Sequence, residues 1–141
     1  MSIIKIKLFK QVIKKFSKKE KQDKIIVTED KRLRNILAYA SQIKIKNKKY
    51  WKIAFNAEAV SSADNWRIIH IALHEFGHIV TNAKTAVDRE YRAEVYALTM
   101  IKKYYSSHYQ ECCEMDLKYV ITQEVKYGIA FKKALKTLGY K

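Results

Sequence analysis

The sequence of 141 residues contains no proline, three glycines and two cysteines. It has no glycine-rich loop that would cradle phosphate groups, no internal repeat, and no apolar run long enough to span a bilayer. The cysteines, Cys112 and Cys113, are adjacent, which is poor geometry for a structural disulfide and too few thiols for a four-cysteine zinc site. The sequence therefore excludes a phosphate-binding glycine loop and a cysteine-ligated zinc, and it predicts no transmembrane segment.

The chain has the length of one domain with a modest core. Its first residues include lysines but no sustained apolar segment followed by small residues, so we expect no signal peptide. Two cysteines that do not pair are typical of a reducing compartment. We therefore expect a cytoplasmic protein.

The net charge of +15 is concentrated at one end of the chain. Residues 1–52 hold 17 Lys or Arg and 4 Asp or Glu, a net charge of +13, whereas residues 53–141 hold 12 and 10, a net charge of +2. A basic region attracts nucleic acid, anionic lipid or an acidic protein. Because Lys outnumbers Arg, loose attraction to phosphate is favoured over reading of bases. A lysine-rich composition without any such partner gives the same pattern.

Residues 1–24 form a basic amphipathic segment, which we separate from a single domain at residues 25–141. Apolar residues recur in this segment at helical spacing, with lysines on the other face. These residues are Ile4, Leu8, Val12, Ile13 and Phe16. Such a helix either docks on the domain or lies on a membrane or nucleic acid, and docking is favoured because the stripe lacks tryptophan. Residues 18–24 are predicted to be a solvated linker.

Three short strands are predicted in the first half of the chain. Apolar and polar residues alternate in residues 42–46, and a second strand follows a turn, at residues 50–56. A third strand is expected at residues 25–27. The fold class is therefore α+β, mainly helical, with a small antiparallel sheet of two or three strands that must pack against helices.

Several helices are predicted outside the central motif. One covers residues 29–41, with Thr28 as its cap. Its inward side chains are Leu33, Ile36, Leu37 and Ala40. Two more helices are predicted at residues 107–127 and 130–138, interrupted near Gly128. The expected core side chains of the first of these are Leu117, Val120, Ile121 and Val125.

The string HEFGH, at residues 74–78, lies in an apolar, proline-free run that predicts a helix over residues 65–81. On such a helix His74 and His78 project from one face, one turn apart, where two neutral imidazoles can bind one metal ion, usually zinc. Glu75 is rotated by about 100° from His74, which keeps it off the metal but within reach of a water, as a general base requires. The predicted sheet is expected to pack on this helix.

Two neighbours of this motif have predicted roles. Gly77, between the two histidines, would let another element pack closely against the helix. His70 lies four residues before His74 on the same face, so it is either a third ligand or a residue that supports the ligands from outside. The supporting role is favoured, because three turns of a straight helix diverge too far to close on one ion.

The next predicted helix, residues 86–105, carries the segment EYRAEVYA, which begins at Glu90. Glu90 and Glu94 are four residues apart and share a face. Zinc held by two histidines needs a third protein ligand and an open position for water, and an antiparallel neighbouring helix can deliver a carboxylate. The other carboxylate would then accept the free ring N–H of a ligating histidine. Alternatively, both glutamates are surface residues that offset neighbouring arginines.

HEFGH followed by EYRAEVYA resembles the small zinc metallopeptidases of the ImmA/IrrE type. It is also similar to the wider gluzincin pattern, in which His-Glu-x-x-His is followed by Glu-x-x-Ala-Asp. The resemblance covers residues 50–105 and implies a zincin-like fold for residues 25–141, with Glu75 as the general base. The residues that match the zinc ligands are His74, His78 and Glu90. Glu94 stands where the pattern often has Asp or Asn, so the roles of Glu90 and Glu94 are open to exchange.

The resemblance implies an enzyme that binds one Zn²⁺ per chain and hydrolyses a peptide bond in a specific cytoplasmic protein. In that mechanism a zinc-activated water gives its proton to Glu75, which passes it to the leaving amine. In phages and mobile elements such proteins are associated with cleavage of a repressor, so a DNA-binding regulator is the implied protein partner. An edge strand beside the zinc would align the substrate.

Two other functions compete with this one. The basic N-terminal third would suit a nucleic-acid-binding module with a structural or vestigial zinc, although no helix-turn-helix, zinc-finger or RNP signature is present. Alternatively, residues 1–16 would hold the protein on an anionic membrane surface.

Overall fold

We describe the fold from a computed structural model, which covers residues 2–34, 36–122 and 125–140. In chain order its elements are α1 (Ile3–Lys19), β1 (Ile25–Glu29), β2 (Ala38–Ile45), β3 (Lys48–Phe55), α2 (Ala57–Ser62), α3 (Asn65–Val80), α4 (Ala86–Tyr104), a 3₁₀ turn (Ser106–His108), α5 (Tyr109–Ile121) and α6 (Val125–Thr137). Across the described ranges, no helix has both the length and the apolar composition needed to cross a membrane.

The three predicted strands are present and form one sheet in the order β1–β3–β2. β2 and β3 pair antiparallel across a two-residue hairpin turn. Both turn residues, Lys46 and Asn47, have positive φ, 49° and 66°, which matches the twist that such a hairpin needs. β3 returns between the other two strands, so it runs parallel to β1. The α+β fold class is confirmed, and the sheet is mixed rather than wholly antiparallel.

The prediction of a helix over residues 29–41 is wrong. Thr28, its expected cap, lies inside β1, and the chain turns immediately afterwards. The Asp30 carboxylate accepts a hydrogen bond from the Arg32 backbone N–H at 2.9 Å, which begins a loop instead of a helical turn. From Ala38 the backbone pairs with β3, and this pairing overrides the helical spacing of the apolar residues. Those residues are Leu33, Ile36, Leu37 and Ala40.

Helix α1 docks on the rest of the domain, as favoured from its composition. Its buried residues are Phe9, Val12, Ile13 and Phe16. The Phe16 ring meets Tyr104 of α4 edge-on, at a centroid distance of 5.6 Å. Ile4 was expected in this stripe but is 82% exposed, because the face toward the core passes through Ile6 and Phe9 instead. The helix continues to Lys19, so the predicted linker begins two residues too early.

Helix α3 is the centre of the fold. It packs against α1, α4, α5 and the sheet, and it begins and ends within one residue of the predicted positions. Its buried apolar side chains include Ile69, Leu73 and Phe76. The predicted packing of the sheet on this helix is confirmed by contacts from β2 and β3.

The C-terminal helices differ from the prediction. α6 continues through Gly128, so the interruption expected there is wrong. Ile121 and Val125 were expected in the core but are 75% and 77% exposed. The face of α5 that enters the core carries Cys112, Cys113 and Asp116. Ile121 falls off that face at the end of the helix, and Leu117 and Val120 are only partly buried.

Candidate metal centre

Helices α3 and α4 form an antiparallel pair that brings the predicted ligands together. The loop at residues 81–85 joins them, and Thr85 caps α4 by accepting a hydrogen bond from the Asp88 backbone N–H at 3.1 Å. The helices approach closely at Gly77, where an added Cβ would lie 2.7 Å from the Ala93 carbonyl oxygen. The predicted close packing at this glycine is confirmed. It places the two glutamates of α4 opposite the histidines of α3.

His74, His78 and Glu90 form the first cluster. The Nε2 atom of His74 lies 3.1 Å from Oε1 of Glu90, and the Nε2 atom of His78 lies 3.0 Å from Oε2 of the same carboxylate. His74 and Glu90 are buried, and His78 is partly buried. The three donor atoms lie within 4.8 Å of one another, so one ion can contact all three.

Glu94 contacts the other side of the His74 ring. Nδ1–H of His74 donates to Oε1 of Glu94 across 2.7 Å, and the carboxylate is almost completely buried. This bond fixes the ring so that its Nε2 atom faces the first cluster. Glu90 therefore belongs to the first cluster, whereas Glu94 contacts the far side of the His74 ring, and both carboxylates are buried. Neither is the surface residue of the alternative interpretation.

His70, Glu94 and Asp116 form a second cluster behind the first. Nε2 of His70 lies 2.6 Å from Oε2 of Glu94 and 3.6 Å from Oδ1 of Asp116. His70 thus contacts the supporting carboxylate rather than the first cluster. Asp116 is not among the site residues that the sequence pattern predicts. One signal in the sequence points to it: Asp116 lies on the same helix face as Cys112 and Cys113, and an acidic residue on a face suited to the core indicates a buried polar contact.

The ionisable groups of the first cluster shift each other's pKa values. Burial disfavours the charged form of His74, but hydrogen bonds to Glu90 and Glu94 outweigh it and raise the pKa of His74 well above its usual 6.5. Burial opposes ionisation of Glu90 too, yet the two histidines hold its pKa well below the usual 4.5. Without a metal the cluster is therefore an imidazolium–carboxylate pair, in which a cation can replace the proton.

Glu75 is half-buried and lines the cleft beside the first cluster. Burial raises its pKa above the ordinary value, and the Glu90 charge adds to that effect. The charges of His74 and His78 and a hydrogen bond from the Ala40 backbone N–H act in the opposite direction. A carboxyl group whose pKa is raised in this way is suited to accept and return a proton.

A cleft of about 240 Å³ opens over both clusters. One wall is the chain entering β2, at residues 36–38, and the opposite wall is aromatic. Its rings are Tyr119, Tyr127 and Phe131. The Phe131 ring meets the His74 ring edge-on at a centroid distance of 5.9 Å, so the aromatic wall reaches the first cluster.

The chain matches no family model, and no curated protein and no solved structure matches it either. Its function is therefore inferred from the geometry of the two clusters and the cleft.

The two cysteines lie close to this region but have no reactive character. Cys112 and Cys113 are buried and unpaired with each other. Burial raises the pKa of both thiols, that of Cys113 to about 11. A thiol with such a pKa is not ionised near neutral pH, so neither residue is a candidate nucleophile.

Proposed function

We propose that the protein is a zinc-dependent peptidase whose metal ligands are His74, His78 and Glu90 and whose general base is Glu75. The proposal is carried by the convergence of both histidine Nε2 atoms on one buried carboxylate, at 3.1 and 3.0 Å. Two imidazoles and one carboxylate, opening on a cleft that admits water, are the donor set of a catalytic zinc, whereas structural zinc sites use four protein ligands.

The residues present suit one zinc ion in chemistry and in charge. When bound, zinc supplies Lewis-acid polarisation of a carbonyl and lowers the pKa of a water toward about 7. Glu94 keeps His74 in the tautomer whose Nε2 lone pair faces the cluster. Glu90 contributes the negative charge that a cation needs in a buried site.

Glu75 moves the proton. Its position on the cleft, one residue after His74, lets its carboxylate take a proton from the attacking water and give it to the leaving amine nitrogen. The raised pKa favours the first of these transfers, because the carboxyl group then binds a proton more strongly than an exposed glutamate does.

The substrate is proposed to be an extended segment of another protein. β2 is an edge strand, and the Ala40 backbone N–H on it is directed at Glu75 instead of at β3. A substrate strand added along this edge would lie beside the first cluster, with its side chains entering the cleft against Phe131 and its neighbours. A specific protein, such as a DNA-binding regulator, is favoured over general digestion because the groove is short.

The first experiment measures zinc by elemental analysis in wild type, His74→Ala and Glu90→Ala after purification with zinc present. Each variant should lose about one equivalent of zinc relative to wild type. Circular dichroism checks that both variants remain helical. Wild-type zinc in either variant would overturn its assignment as a ligand.

The second experiment tests the reaction with a mixed-sequence peptide library, read by mass spectrometry. Wild type should release new peptide termini, and Glu75→Gln should bind zinc normally while cleavage falls by a factor of about 100 or more. The glutamine keeps the shape of the side chain and removes its basicity. Cleavage by Glu75→Gln at the wild-type rate would disprove the role of Glu75.

A further inference from the structure

The second cluster collects donor atoms from three helices. His70 belongs to α3, Glu94 to α4 and Asp116 to α5, and one donor atom from each lies within 4.8 Å of the other two. His70 is 3% exposed, Glu94 1% and Asp116 0%. Since the three residues lie on three successive helices, the packing of α5 against α3 and α4 is needed to bring the side chains together.

Asp116 is the residue in this cluster that the protein leaves unsatisfied. Apart from the Glu94 carboxyl group, which faces it, neither of its carboxylate oxygens has a hydrogen-bond partner within the described part of the chain, and Nδ1 of the neighbouring His70 has none either. A buried carboxylate without partners is costly, because its ionised form has lost its hydration. Asp116 therefore requires either a proton or a cation.

The two buried carboxyl groups of this cluster need a countercharge. This step rests on the proposed peptidase function, in which His74 is neutral and donates its Nδ1–H to Glu94. The second cluster then contains two carboxylates and one imidazole, all buried. Arg67, which lines the same cleft, is the cationic side chain beside them, and a divalent cation bound between the two carboxylates would neutralise both.

We propose that His70, Glu94 and Asp116 bind a second divalent cation, separate from the ion of the first cluster. One imidazole nitrogen and two carboxylate oxygens form a donor set for borderline or hard ions such as Zn²⁺ and Mn²⁺. All three residues line the cleft, so a hydrated ion can reach them from solvent.

The spacing of the donors suits such an ion after a small adjustment. Donors bound to one zinc ion at about 2.1 Å in tetrahedral geometry lie about 3.4 Å apart. The His70–Asp116 pair is at 3.6 Å, close to that spacing, and the His70–Glu94 pair is at 2.6 Å. A side-chain rotation that exchanges the His70–Glu94 hydrogen bond for two metal bonds provides the remaining separation.

The second ion would join α5 to the peptidase centre. It would hold Oε2 of Glu94 while Oε1 of the same carboxylate remains bonded to Nδ1 of His74. α5 would thereby help to set the orientation of His74 through Glu94. Loss of the second ion should lower thermal stability as well as the affinity of the first cluster.

The test compares metal content in wild type, Asp116→Asn and His78→Ala after dialysis against Zn²⁺, and separately against Mn²⁺. The asparagine side chain keeps the shape of a protonated aspartic acid, so this substitution spares a hydrogen-bonding role and removes only a ligand charge. His78→Ala removes a ligand of the first cluster alone. His70→Ala is a second variant for the second cluster, and the melting temperature of each protein is measured with and without chelator.

We expect about two ions in wild type, about one in each single variant, and a smaller chelator-induced drop in melting temperature for Asp116→Asn than for wild type. About one ion in wild type that persists in Asp116→Asn and disappears in His78→Ala would overturn the second site and leave the peptidase centre standing. About one ion that disappears in Asp116→Asn and persists in His78→Ala would support the second site and overturn the peptidase centre. Absence of metal from wild type would overturn both.

Discussion

Gly77 and Ala93 are in backbone contact at the point where α3 crosses α4. A Cβ atom on Gly77 would lie 2.7 Å from the carbonyl oxygen of Ala93 and 3.0 Å from its Cα atom, and neither atom can move without displacing the helix. This contact sets the separation between the histidines of α3 and the glutamates of α4.

Gly77→Ala should therefore destabilise the protein and weaken zinc binding together. Alanine gains about 1 kcal/mol in helix propensity, but forcing the helices apart costs about 1–3 kcal/mol and moves Glu90 away from His74 and His78. We expect zinc affinity to fall about tenfold or more, measured with a competing chelator.

Gly139→Ala is the matched control for this prediction. Gly139 has φ of 72°, and a Cβ there would meet no atom within 4 Å. The substitution should cost about 1–2 kcal/mol through backbone strain and leave zinc affinity unchanged. Equal zinc affinity in Gly77→Ala and Gly139→Ala would contradict the proposed link between helix spacing and the metal centre.

Glu90 and Glu94 should respond differently to substitution by glutamine. Glu90→Gln should abolish zinc binding at the first cluster, because Glu90 faces both Nε2 atoms. Glu94→Gln should weaken binding at the first cluster about 10–100-fold without abolishing it, because the contribution of Glu94 to that cluster is to orient His74.

These affinities are best measured by zinc titration in an Asp116→Asn background, so that only the first cluster contributes. The same titration with Arg92→Gln serves as a control, since Arg92 pairs with Asp88 on the exposed side of α4. A complete loss with Glu94→Gln and a partial loss with Glu90→Gln would mean that the two glutamates have exchanged roles.

The metal-free protein should be most stable at mildly acidic pH. The folded-state pKa of His74 lies above its unfolded value near 6.5, so its contribution is complete below 6.5 and is lost as pH rises through the folded pKa. The folded-state pKa of Glu90 lies below its unfolded value near 4.5, so its contribution is present above 4.5 and is lost as pH falls through the folded pKa. The melting temperature should thus peak between these limits.

Zinc should oppose the loss of stability that the metal-free protein shows at alkaline pH. Because the ion takes the place of the His74 proton, stabilisation by zinc should grow as pH rises above 6.5. Melting curves of chelator-treated protein, with and without zinc, measure both effects. A metal-free melting temperature that stays constant above pH 6.5 would argue against the His74–Glu90 pairing, and His74→Gln should show that constant profile.

Helix α1 should be required for folding. Phe16 is fully buried and contacts Phe76 and Tyr104, so Phe16→Ala should lower the free energy of unfolding by about 3–5 kcal/mol. Lys14→Ala, on the exposed face of the same helix, should change it by less than about 0.5 kcal/mol. Denaturant titration of the two variants makes the comparison, and similar midpoints would contradict docking.

The lysines on the outer face of α1 should give weak, salt-dependent binding to polyanions. Lys7, Lys14 and Lys18 are exposed and share one face of the helix. Replacing all three with Gln should reduce the dependence of duplex-DNA affinity on salt by about one unit of log–log slope for each lysine that binds a phosphate. Fluorescence anisotropy at several salt concentrations measures the slope. Lys132→Gln with Lys136→Gln on α6 is the control, and an equal effect there would indicate only non-specific charge.

The sequence predicts most of the candidate site because its spacing is local. His74 and His78, like Glu90 and Glu94, are four residues apart, and each pair lies on a helix whose face follows from the 3.6-residue repeat. Asp116 was not predictable in this way, since its partners are on α3 and α4 and only the packing of α5 brings it to them.

The errors in the fold have the same origin. Apolar residues from Leu33 to Ala40 recur at helical spacing, and nothing local reveals that β3 pairs with the chain from Ala38 onward. Similarly, Gly128 is a frequent helix terminator, yet the contacts of α6 with α4 and α5 keep the helix continuous through it. In both cases long-range packing decided the structure against a local preference.

Only the short connection at residues 81–85 separates α3 from α4, and this has a consequence for the order of folding. Closing so short a loop costs little chain entropy, and contacts between consecutive helices form quickly. The two histidines and Glu90 should consequently meet while α5 and α6 are still unfolded, and a zinc ion present at that stage would be enclosed as the later helices pack. The supply of zinc during synthesis, more than its access to the finished cleft, would then determine how much of the protein acquires its metal.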